Sequence, residues 1–557
     1  MQEKPIKRFK VKPTFQILLI TLLIFSLLGS CSSSSTPESY VGYGADHCVS
    51  GSLHIITLDG DKIILDAGSF YGEDGKSFPQ IDQKTLTDVS AIIISHAHID
   101  HIGRLITSVV KMGYKGPIYC TGPTKELMPT MLKMASKYGD FGKETFFFSK
   151  RSQDENRSSG KNTAAHLYAD CPYGSQISPK NKKYIICSSP DLEDLGYYFC
   201  SACAQKEANE VMKQVIQQPL HLPFQISKNV TAEFLLTPHL PGSVMVLLKG
   251  EVSGHKILYT GDVGSGLSPF LPSQDPPQSA DVVITEATYG TSTCDIEELK
   301  AQRENFRIKL GELVQNGKRI IIPAFVLDRS QQILYEINQG KLKGEIPQDT
   351  PIKVFGNSVE ELNEIYLDFS NSTEYSPYFS AGFLENGPFP HDSYLSITGT
   401  TLSKLFDDPE ERRRSISYGE IGICSSGMAD NSLSLEFVKQ WISDPDTVFI
   451  FVGYQDPETI GGELVEGLEK GTHTPSSIII DGNSYQIKAD ILKYNCFSGH
   501  AEFNQITNFL HGVDGLKTIL IVHTDQENVD PLIQAYKKEF PSINIVAPQA
   551  GQLIALP

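Results

Sequence analysis

Short apolar runs rich in β-branched residues recur along the chain, and several of them end in a polar residue that can bind metal. The run at residues 91–94 is followed by Ser95 and then by a histidine cluster. A later run at residues 232–236 precedes His239, and two others end close to Asp262 and at Glu286. Apolar runs of about four to eight residues predict buried strands. The pattern therefore predicts buried strands that carry polar side chains to one rim of a sheet.

The densest of these signals is the segment I-I-I-S-H-A-H-I-D-H-I-G at residues 92–103. Four side chains that can bind metal follow the apolar run: His96, His98, Asp100 and His101. Imidazole with carboxylate is a ligand set that suits zinc. In an extended segment His96 and His98 point to the same side, and Asp100 with His101 can serve a neighbouring metal. A polar loop with unrelated histidines is the alternative.

A strand, a turn and a second strand are predicted at residues 52–65. Asp66 directly follows the second strand, within the sequence L-D-A-G. A carboxylate at a strand end can orient a metal ligand from outside the ligand shell. His239 alone is a weak indication, because single histidines are usually structural. It gains weight from sharing its strand-end position with Asp262 and Glu286.

The N-terminal 30 residues are typical of a bacterial lipoprotein signal peptide. A basic segment precedes the apolar run at residues 17–28, which is short for a membrane-spanning helix. The run ends in L-G-S-C, which resembles a lipobox with Cys31 as the lipidated residue, and residues 31–42 are predicted to form a flexible tether. We expect an exported protein anchored to a membrane outside the cytoplasm. An uncleaved N-terminal anchor helix is the alternative.

Length and charge set two further bounds. A chain of 557 residues is long enough for two or more domains, each with its own core. A formal net charge of −18 is unusual for a protein that binds polyanions. A nucleic-acid substrate would therefore require bound metals and a local basic groove.

A polar stretch at residues 149–218 is predicted to be an irregular insert. It contains four cysteines, the last two in a C-x-x-C motif: Cys171, Cys187, Cys200 and Cys203. Disulfides are favoured in an exported protein, and a structural zinc site or free thiols are the alternatives. The spacing does not define a pairing.

The order of Asp66, the H-x-H-x-D-H cluster, His239 and Asp262 resembles that of the metallo-β-lactamase hydrolase superfamily. The block E-A-T-Y-G at residues 286–290 is similar to the first extra motif of its β-CASP branch, typified by bacterial ribonuclease J and the endonuclease of eukaryotic pre-mRNA 3′ processing. Five more blocks match: I-P-A-F-V-L-D-R-S-Q-Q (322–332), C-S-S-G-M (424–428), G-Y-Q-D-P-E-T-I-G (453–461), F-S-G-H-A-E-F (497–503) and I-V-H-T-D-Q-E (521–527).

This resemblance implies an αββα metallo-β-lactamase sandwich with an inserted α/β β-CASP domain. The first part of the sandwich then covers residues 43–300, the β-CASP domain residues 301–489, and the second part residues 490–557. Four short apolar runs predict the strands of the inserted domain: residues 320–322, 352–355, 421–424 and 448–452.

The resemblance also implies a centre with two metal ions. One ion would be bound by His96, His98 and His239, the second by Asp100, His101 and His523, with Asp262 as the bridge between them. Two zinc ions are expected from the imidazole-rich ligands, and manganese is the alternative. Such a centre would direct hydroxide attack on a phosphodiester and clamp its attacking and leaving oxygens.

In the β-CASP branch, Glu286 and His500 would form a hydrogen-bonded pair, which makes His500 the candidate general acid for the leaving oxygen. Glu286 would set the tautomer of His500 and raise its pKa. Phosphate oxygens are expected at four positions: Ser426, Gly427, Ser498 and Gly499. Arg329 is a further candidate for phosphate binding, with a structural ion pair as the alternative.

Some positions depart from the family pattern. Residues 429–432 follow S-G-M where glycines are usual, residues 356–360 replace an Asp-Ser-Pro run, and Thr524 and Asp525 stand where the family has a glycine. These departures surround the expected nucleic-acid cleft. The leading prediction is a β-CASP nuclease acting on RNA rather than DNA. The alternatives are an exported DNA nuclease, a small-phosphodiester hydrolase, and a non-catalytic binding protein with this fold.

Overall fold

The computed structural model describes residues 37–70, 81–138, 201–469 and 476–557. The predicted signal peptide, Cys31 and the insert cysteines Cys171, Cys187 and Cys200 lie outside these residues, and Cys203 is described only as part of a helix. Within the described ranges, no helix combines the length and the apolar content needed to cross a membrane.

Two seven-stranded sheets form a sandwich. The first sheet contains β1 (Ser39–Gly42), β2 (His54–Leu58), β3 (Asp61–Leu65), β4 (Val89–Ile93), β5 (Ile118–Cys120), β6 (Val215–Gln217) and β22 (Ile554–Ala555), in the order β22-β1-β2-β3-β4-β5-β6. The second contains β7 (Phe224–Gln225), β8 (Val230–Leu236), β9 (Val244–Gly250), β10 (Lys256–Tyr259), β11 (Val282–Glu286), β20 (Thr518–Val522) and β21 (Asn544–Val546), in the order β21-β20-β11-β10-β9-β8-β7.

Helices cover both outer faces of the sandwich. The inner faces share one apolar core, in which Ile63 and Ile93 of the first sheet pack with Val246 and Ile284 of the second. Outside the first sheet lie α1 (Ile99–Ile102), α2 (Gly122–Tyr138) and α3 (Ser201–Met212), and outside the second lie α12 (Phe503–His511) and α13 (Gln526–Glu539). The layers therefore follow the predicted αββα order.

A third sheet, between β11 and β20 in the chain, forms the inserted domain. Its six parallel strands are β12 (Arg319–Pro323), β13 (Ile352–Phe355), β14 (Leu395–Ile397), β15 (Ile421–Cys424), β16 (Thr447–Phe451) and β19 (Asp490–Lys493), in the order β14-β13-β15-β12-β16-β19. The four runs predicted as strands of this domain are confirmed as β12, β13, β15 and β16. A separate hairpin contains β17 (Ser477–Ile480) and β18 (Asn483–Gln486).

Helices surround the third sheet. They are α4 (Ile296–Gln315), α5 (Arg329–Leu342), α6 (Asn357–Asn371), α7 (Ala381–Asn386), α8 (Gly399–Asp407), α9 (Pro409–Ser415), α10 (Ser432–Trp441) and α11 (Ile460–Glu469). All of them except α7 and α9 contribute to two apolar clusters that also contain the strands. The inserted domain also packs on the sandwich, since Tyr366 and Phe369 of α6 share a core with Leu127 and Met131 of α2.

The structure corrects three predicted boundaries. Residues 39–42 are not tether but β1, because alternation buries Tyr40 while the backbone pairs with β2 and β22. The irregular insert does not extend to residue 218, because buried Ala204, Ala208 and Val211 lie on one face of α3 and β6 follows it. The inserted sheet continues beyond residue 489, since β19 pairs with β16.

Candidate metal centre

The predicted ligands lie at the ends of strands, on one rim of the sandwich. His96 and His98 follow β4, and Asp100 and His101 belong to α1, which starts one residue after His98. Glu286 is the last residue of β11. The other predicted residues follow β3, β8, β10 and β20: Asp66, His239, Asp262 and His523. Strands of the two sheets that end at the same rim bring these side chains together although they are far apart in the chain.

One set of ligand atoms comes from three histidines and one aspartate. Nδ1 of His98 lies 3.2 Å from Nε2 of His96 and 3.1 Å from Nε2 of His239. Oδ2 of Asp262 lies 3.5 Å from both Nε2 atoms. The four side chains form one group that could hold a metal ion.

The second set uses the other carboxylate oxygen of Asp262. Oδ1 of Asp262 lies 3.3 Å from Nε2 of His101 and 3.9 Å from Nε2 of His523. Oδ2 of Asp100 lies 3.8 Å from the first of these nitrogens and 3.4 Å from the second. Asp262 therefore presents one oxygen to each set, as expected of a bridging ligand.

The spacing and the chemistry of both sets fit divalent metal. Ligands about 2.0–2.2 Å from a tetrahedral ion are about 3.3–3.6 Å from one another, and the distances above, from 3.1 to 3.9 Å, centre on this range. Both carboxylate oxygens of Asp262 and Nε2 of His101 are buried without a hydrogen-bond partner in the described structure. Buried polar atoms are rarely left unpaired, so this arrangement indicates that cations satisfy them.

Hydrogen bonds outside the ligand shell fix the histidine rings. Asp66 accepts hydrogen bonds from the Ser95 backbone N–H, the Ser95 hydroxyl and Nδ1 of His101, each at 2.7 Å. Nδ1 of His239 donates to the carbonyl of Gly499 at 2.8 Å. These bonds leave Nε2 of both rings free to bind metal.

Burial lowers the pKa of His96 and His239 well below the usual range for histidine. Both rings are therefore neutral, the form in which histidine binds a metal ion. Burial acts in the opposite direction on Asp262, but the surrounding histidines, His101 first, hold its pKa well below its usual range. Asp262 is therefore a carboxylate, the form that can bind metal.

Glu286 and His500 form the predicted pair beside the second set. Nδ1 of His500 lies 3.0 Å from one carboxylate oxygen of Glu286 and 3.1 Å from the other. Burial disfavours the charged ring, but the Glu286 and Asp262 carboxylates outweigh it and raise the pKa of His500 to about 9. His500 is thus held protonated at neutral pH, next to both ligand sets.

The sequence analysis missed Thr288, which joins the pair to the metal centre. Its hydroxyl donates to Glu286 and lies 2.9 Å from Nδ1 of His523. The block E-A-T-Y-G contains this threonine, but spacing alone does not show which of its residues face the centre.

Arg329 and the glycine of the S-G-H block lie next to the metal ligands. A Cβ added to Gly499 would be 3.1 Å from Cε1 of His239 and 3.9 Å from Nη2 of Arg329. Arg329 donates to the carbonyl of Val452, and its buried Nε has no partner in the described structure. The described residues offer Arg329 no ion-pair partner, so the alternative role in a structural ion pair finds no support.

The other expected phosphate positions are divided between two loops. The Ser498 hydroxyl donates to that of Tyr289 at 2.9 Å. The Ser426 hydroxyl donates to the carboxylate of Asp430 at 2.5 Å, and Gly427 lies against the ring of Phe325. The departure from the family pattern at Asp430 therefore places a negative charge beside one predicted phosphate position.

Comparison with protein-family models finds three matching domains. Residues 55–152 match the metallo-beta-lactamase superfamily domain, residues 330–464 match the Beta-Casp domain, and residues 484–548 match the Zn-dependent metallo-hydrolase RNA specificity domain. The predicted combination of a metallo-β-lactamase domain with a β-CASP domain is confirmed.

Three of the curated relatives each match more than four-fifths of the chain. A ribonuclease of Thermus thermophilus is 27% identical over 494 residues, which cover 88% of this chain and 94% of the relative. An RNase J-like protein of Methanocaldococcus jannaschii is 26% identical over 84% of this chain and 87% of its own length. Cleavage and polyadenylation specificity factor 73 of Drosophila melanogaster is 24% identical over 89% of this chain and 61% of its own length.

Proposed function

We propose that this chain, a metal-dependent hydrolase built from metallo-β-lactamase and β-CASP domains, is a ribonuclease that cleaves RNA phosphodiester bonds. The observation that carries the proposal is Asp262, whose two buried oxygens accept no hydrogen bond from the described residues and face two separate ligand sets beside the Glu286–His500 pair. The names of the relatives and the match to an RNA specificity domain support RNA as the polymer.

Zinc is the proposed metal, with manganese as the second candidate, because five of the seven ligands are imidazoles. Two bound ions would act as Lewis acids toward the scissile phosphate and lower the pKa of an attacking water. Asp262 holds the two ligand sets at a fixed separation. Asp66 fixes the His101 ring, so that this ligand needs no reorganisation when substrate binds.

His500 is the proposed donor of the proton to the leaving oxygen. It is protonated at neutral pH, and its Nδ1 bonds to Glu286, which leaves Nε2 to face the substrate. Glu286 keeps this orientation because its own oxygens accept from the Val263 backbone and the Thr288 hydroxyl.

The carboxyl edge of the inserted sheet is the proposed binding surface for the strand being cut. Phe325 follows β12, Gly427 follows β15, and Tyr454 follows β16, all at the edge where parallel α/β sheets usually bind ligands. Arg329 lies between this edge and His239 and would contact a phosphate oxygen. Phe325 and Tyr454 are 37% and 44% exposed, which suits stacking on unpaired bases.

The test is metal-dependent cleavage of labelled single-stranded RNA and DNA by the purified protein, with zinc or manganese added. We expect RNA to be cut faster than DNA, Asp262→Ala to reduce cleavage to background, and His500→Ala to reduce it by about 10²- to 10⁴-fold. His391→Ala is the matched control, because His391 is an exposed histidine paired with Glu364. Binding of two ions per chain without cleavage of either polymer would contradict the proposal.

We also propose that the protein is exported and anchored to a membrane through lipidated Cys31. The support is the basic and apolar N-terminal sequence that ends in L-G-S-C. A substrate for such a protein would be RNA outside the cytoplasm.

A further inference from the structure

A series of buried polar side chains, linked by hydrogen bonds, leads away from the metal centre. It starts at Asp66 and is called the hydrogen-bonded chain. The Tyr259 hydroxyl donates to Oδ2 of Asp66 at 2.7 Å and lies 3.0 Å from the Ser52 hydroxyl. Ser52 lies 3.0 Å from Nε2 of His54. The other nitrogen of His54 lies 2.8 Å from the Tyr40 hydroxyl, which is 3.0 Å from Oδ1 of Asp46. All of these side chains are at most 2% exposed.

The four groups between Asp66 and Asp46 carry too few protons to fill every hydrogen bond in this series. One of the two carboxyl groups at its ends must supply another proton. Five contacts link the six groups, whereas Tyr259, Ser52, Tyr40 and a neutral His54 carry one proton each. Asp66 accepts bonds as a carboxylate, so Tyr259 donates to it and Ser52 donates to Tyr259. His54 must then donate from Nε2 to Ser52 and accept at Nδ1 from Tyr40. The remaining contact, between Tyr40 and Asp46, requires a proton on the Asp46 carboxyl.

We propose that Asp46 is held protonated, and that its proton orients the hydrogen-bonded chain so that Tyr259 donates to Asp66 and thereby positions the metal ligand His101. Asp46, Tyr40, His54, Ser52 and Tyr259 are then positioning residues for the metal centre. The proposal concerns metal binding alone and does not depend on the identity of the substrate.

The surroundings of the two titratable members agree with this assignment. Burial, with the charges of His101, His523 and Arg104, lowers the pKa of His54 to about 3, which rules out an imidazolium as the source of the extra proton. Burial raises the pKa of Asp46 to about 7, although Tyr40 and Arg104, the titratable groups that face it, act in the opposite direction.

Loss of the Asp46 proton forces a change along the hydrogen-bonded chain. Four protons then remain for five contacts, and Tyr40 donates to the Asp46 carboxylate. We infer that His54 and Ser52 reverse in turn, so that Tyr259 donates to Ser52 and the contact without a proton is the one at Asp66. Asp66 loses one of its hydrogen-bond donors, and the Tyr259 oxygen faces its carboxylate without a proton between them. His101 is held less firmly, so the ligand set of Asp100, His101 and His523 binds metal less tightly than it would with the proton in place.

The experiment measures zinc affinity for both ions by competition with a chelator, using the full chain freed of metal, at about pH 6 and about pH 8.5. Asp46→Asn supplies a permanent donor to Tyr40, and its amide oxygen can accept from the Gly44 backbone N–H as Asp46 does. We expect this variant to match the native protein at the lower pH and to bind the second ion several-fold more tightly at the higher pH. The ligands themselves also titrate between these pH values, but in both proteins alike. The ratio of the variant's zinc affinity to the native affinity at each pH therefore removes that contribution.

Tyr259→Phe removes the hydroxyl that donates to Asp66. We expect its affinity for the second ion to fall about 10- to 100-fold at both pH values, the usual effect of losing an outer partner of a metal ligand. Tyr366→Phe is the matched control, because Tyr366 is equally buried and its hydroxyl also donates to a carboxylate, that of Asp328. It should leave both zinc affinities unchanged.

Two results would overturn the proposal. One is an Asp46→Asn affinity that has the same ratio to the native value at both pH values. The other is a Tyr259→Phe affinity equal to that of Tyr366→Phe. If Asp46→Asn does not fold, Tyr40→Phe provides the test, because it separates Asp46 from His54 and so removes the effect of the Asp46 proton on the second ion. The ratio of its affinity to the native affinity should then differ between the two pH values, and an equal ratio would overturn the proposal.

Discussion

At the scale of single residues, two members of the metal centre adopt a backbone conformation that side chains usually avoid. Asp66 has φ of 59° and His523 has φ of 52°, both in the left-handed region. Such positions cost about 1 kcal/mol or more each. Asp66 offsets this cost through its bonds to Ser95, His101 and Tyr259, and His523 through contact with Thr288. The conformation places both side chains at the rim where the ligands meet.

Glu286→Gln tests the role of the carboxylate beside His500. The substitution removes the negative charge that raises the pKa of His500, so this pKa should fall. A general acid works only while protonated, so the alkaline limb of the pH–rate profile for RNA cleavage should move to lower pH. The measurement is the rate of RNA cleavage across the pH range.

The matched control is Glu364→Gln, which removes a carboxylate from an exposed histidine pair outside the metal centre. It should leave the profile in place. An alkaline limb at the same pH in the Glu286→Gln protein would contradict the assignment of His500 as the acid.

At the scale of elements, the metal centre depends on close contacts between segments that follow different strands. Gly68, two residues after Asp66, lies against the backbone of α1, where a Cβ would be 1.5 Å from the Asp100 carbonyl oxygen. The Ala67 and Ser69 backbone N–H groups donate to carbonyls of the same helix. This contact holds Asp100 and His101 at the distance that the second ligand set requires.

Gly68→Ala should push α1 away from β3. We expect affinity for the second zinc ion to fall by about 10-fold or more, because Asp100 and His101 both move. The first ion, which neither residue binds, should be affected less. Zinc titration against a chelator measures both constants.

Gly382→Ala serves as the control, since a Cβ there would have no atom within 4 Å. Equal zinc affinities in the two alanine variants would show that the close contact at Gly68 does not hold the ligands.

Phe325→Leu tests the binding surface at the carboxyl edge of the inserted sheet. Stacking of a base on an aromatic ring contributes about 1–3 kcal/mol, so KM for single-stranded RNA should rise while the metal centre stays intact. Hydrolysis of bis(p-nitrophenyl) phosphate, which is too small to need the stacking surface, should not change. Steady-state kinetics on both substrates provide the measurement.

Phe406→Leu is the matched control, because Phe406 is 42% exposed and lies on α8, outside the metal centre. An unchanged KM for RNA in the Phe325→Leu protein would argue against base stacking at this edge. A loss of bis(p-nitrophenyl) phosphate hydrolysis would instead indicate damage to the metal centre.

At the scale of the whole molecule, the two domains share an apolar core that fixes their relative position. Phe270 of the sandwich packs on Tyr335 and Tyr366 of the inserted domain, and Lys133 forms an ion pair with Glu361 across the same interface. An apolar interface of this kind limits relative motion. Arg329 is therefore kept beside His239, which belongs to the other domain.

Cys31→Ala tests the proposed membrane anchor. The proposed anchor is the lipid on the Cys31 thiol. Without this thiol the protein should move from the membrane fraction to the soluble fraction of lysed cells or to the medium. Immunoblotting of the fractions measures the change. Ser32→Ala is the control, and retention of the Cys31→Ala protein in the membrane fraction would contradict the proposal.

The sequence by itself predicted the fold class and the side chains that the structure brings together as candidate metal ligands. The histidine cluster and the strand-end carboxylates depend on short-range patterns, in which the period of a strand and its neighbours in the chain identify the rim residues. The four strands of the inserted domain were predictable for the same reason. The αββα sandwich was instead predicted from the resemblance of the motifs to the metallo-β-lactamase superfamily.

Only the tertiary structure decided which other groups act on those ligands. Ser52 meets Tyr259 and Thr288 meets His523 across separations of 207 and 235 residues, contacts that no local pattern contains. Burial, which exists only in the folded chain, raises the pKa of Asp46 and lowers that of Arg329. Local spacing selects the ligands, whereas packing of distant strands sets the protons and charges around them.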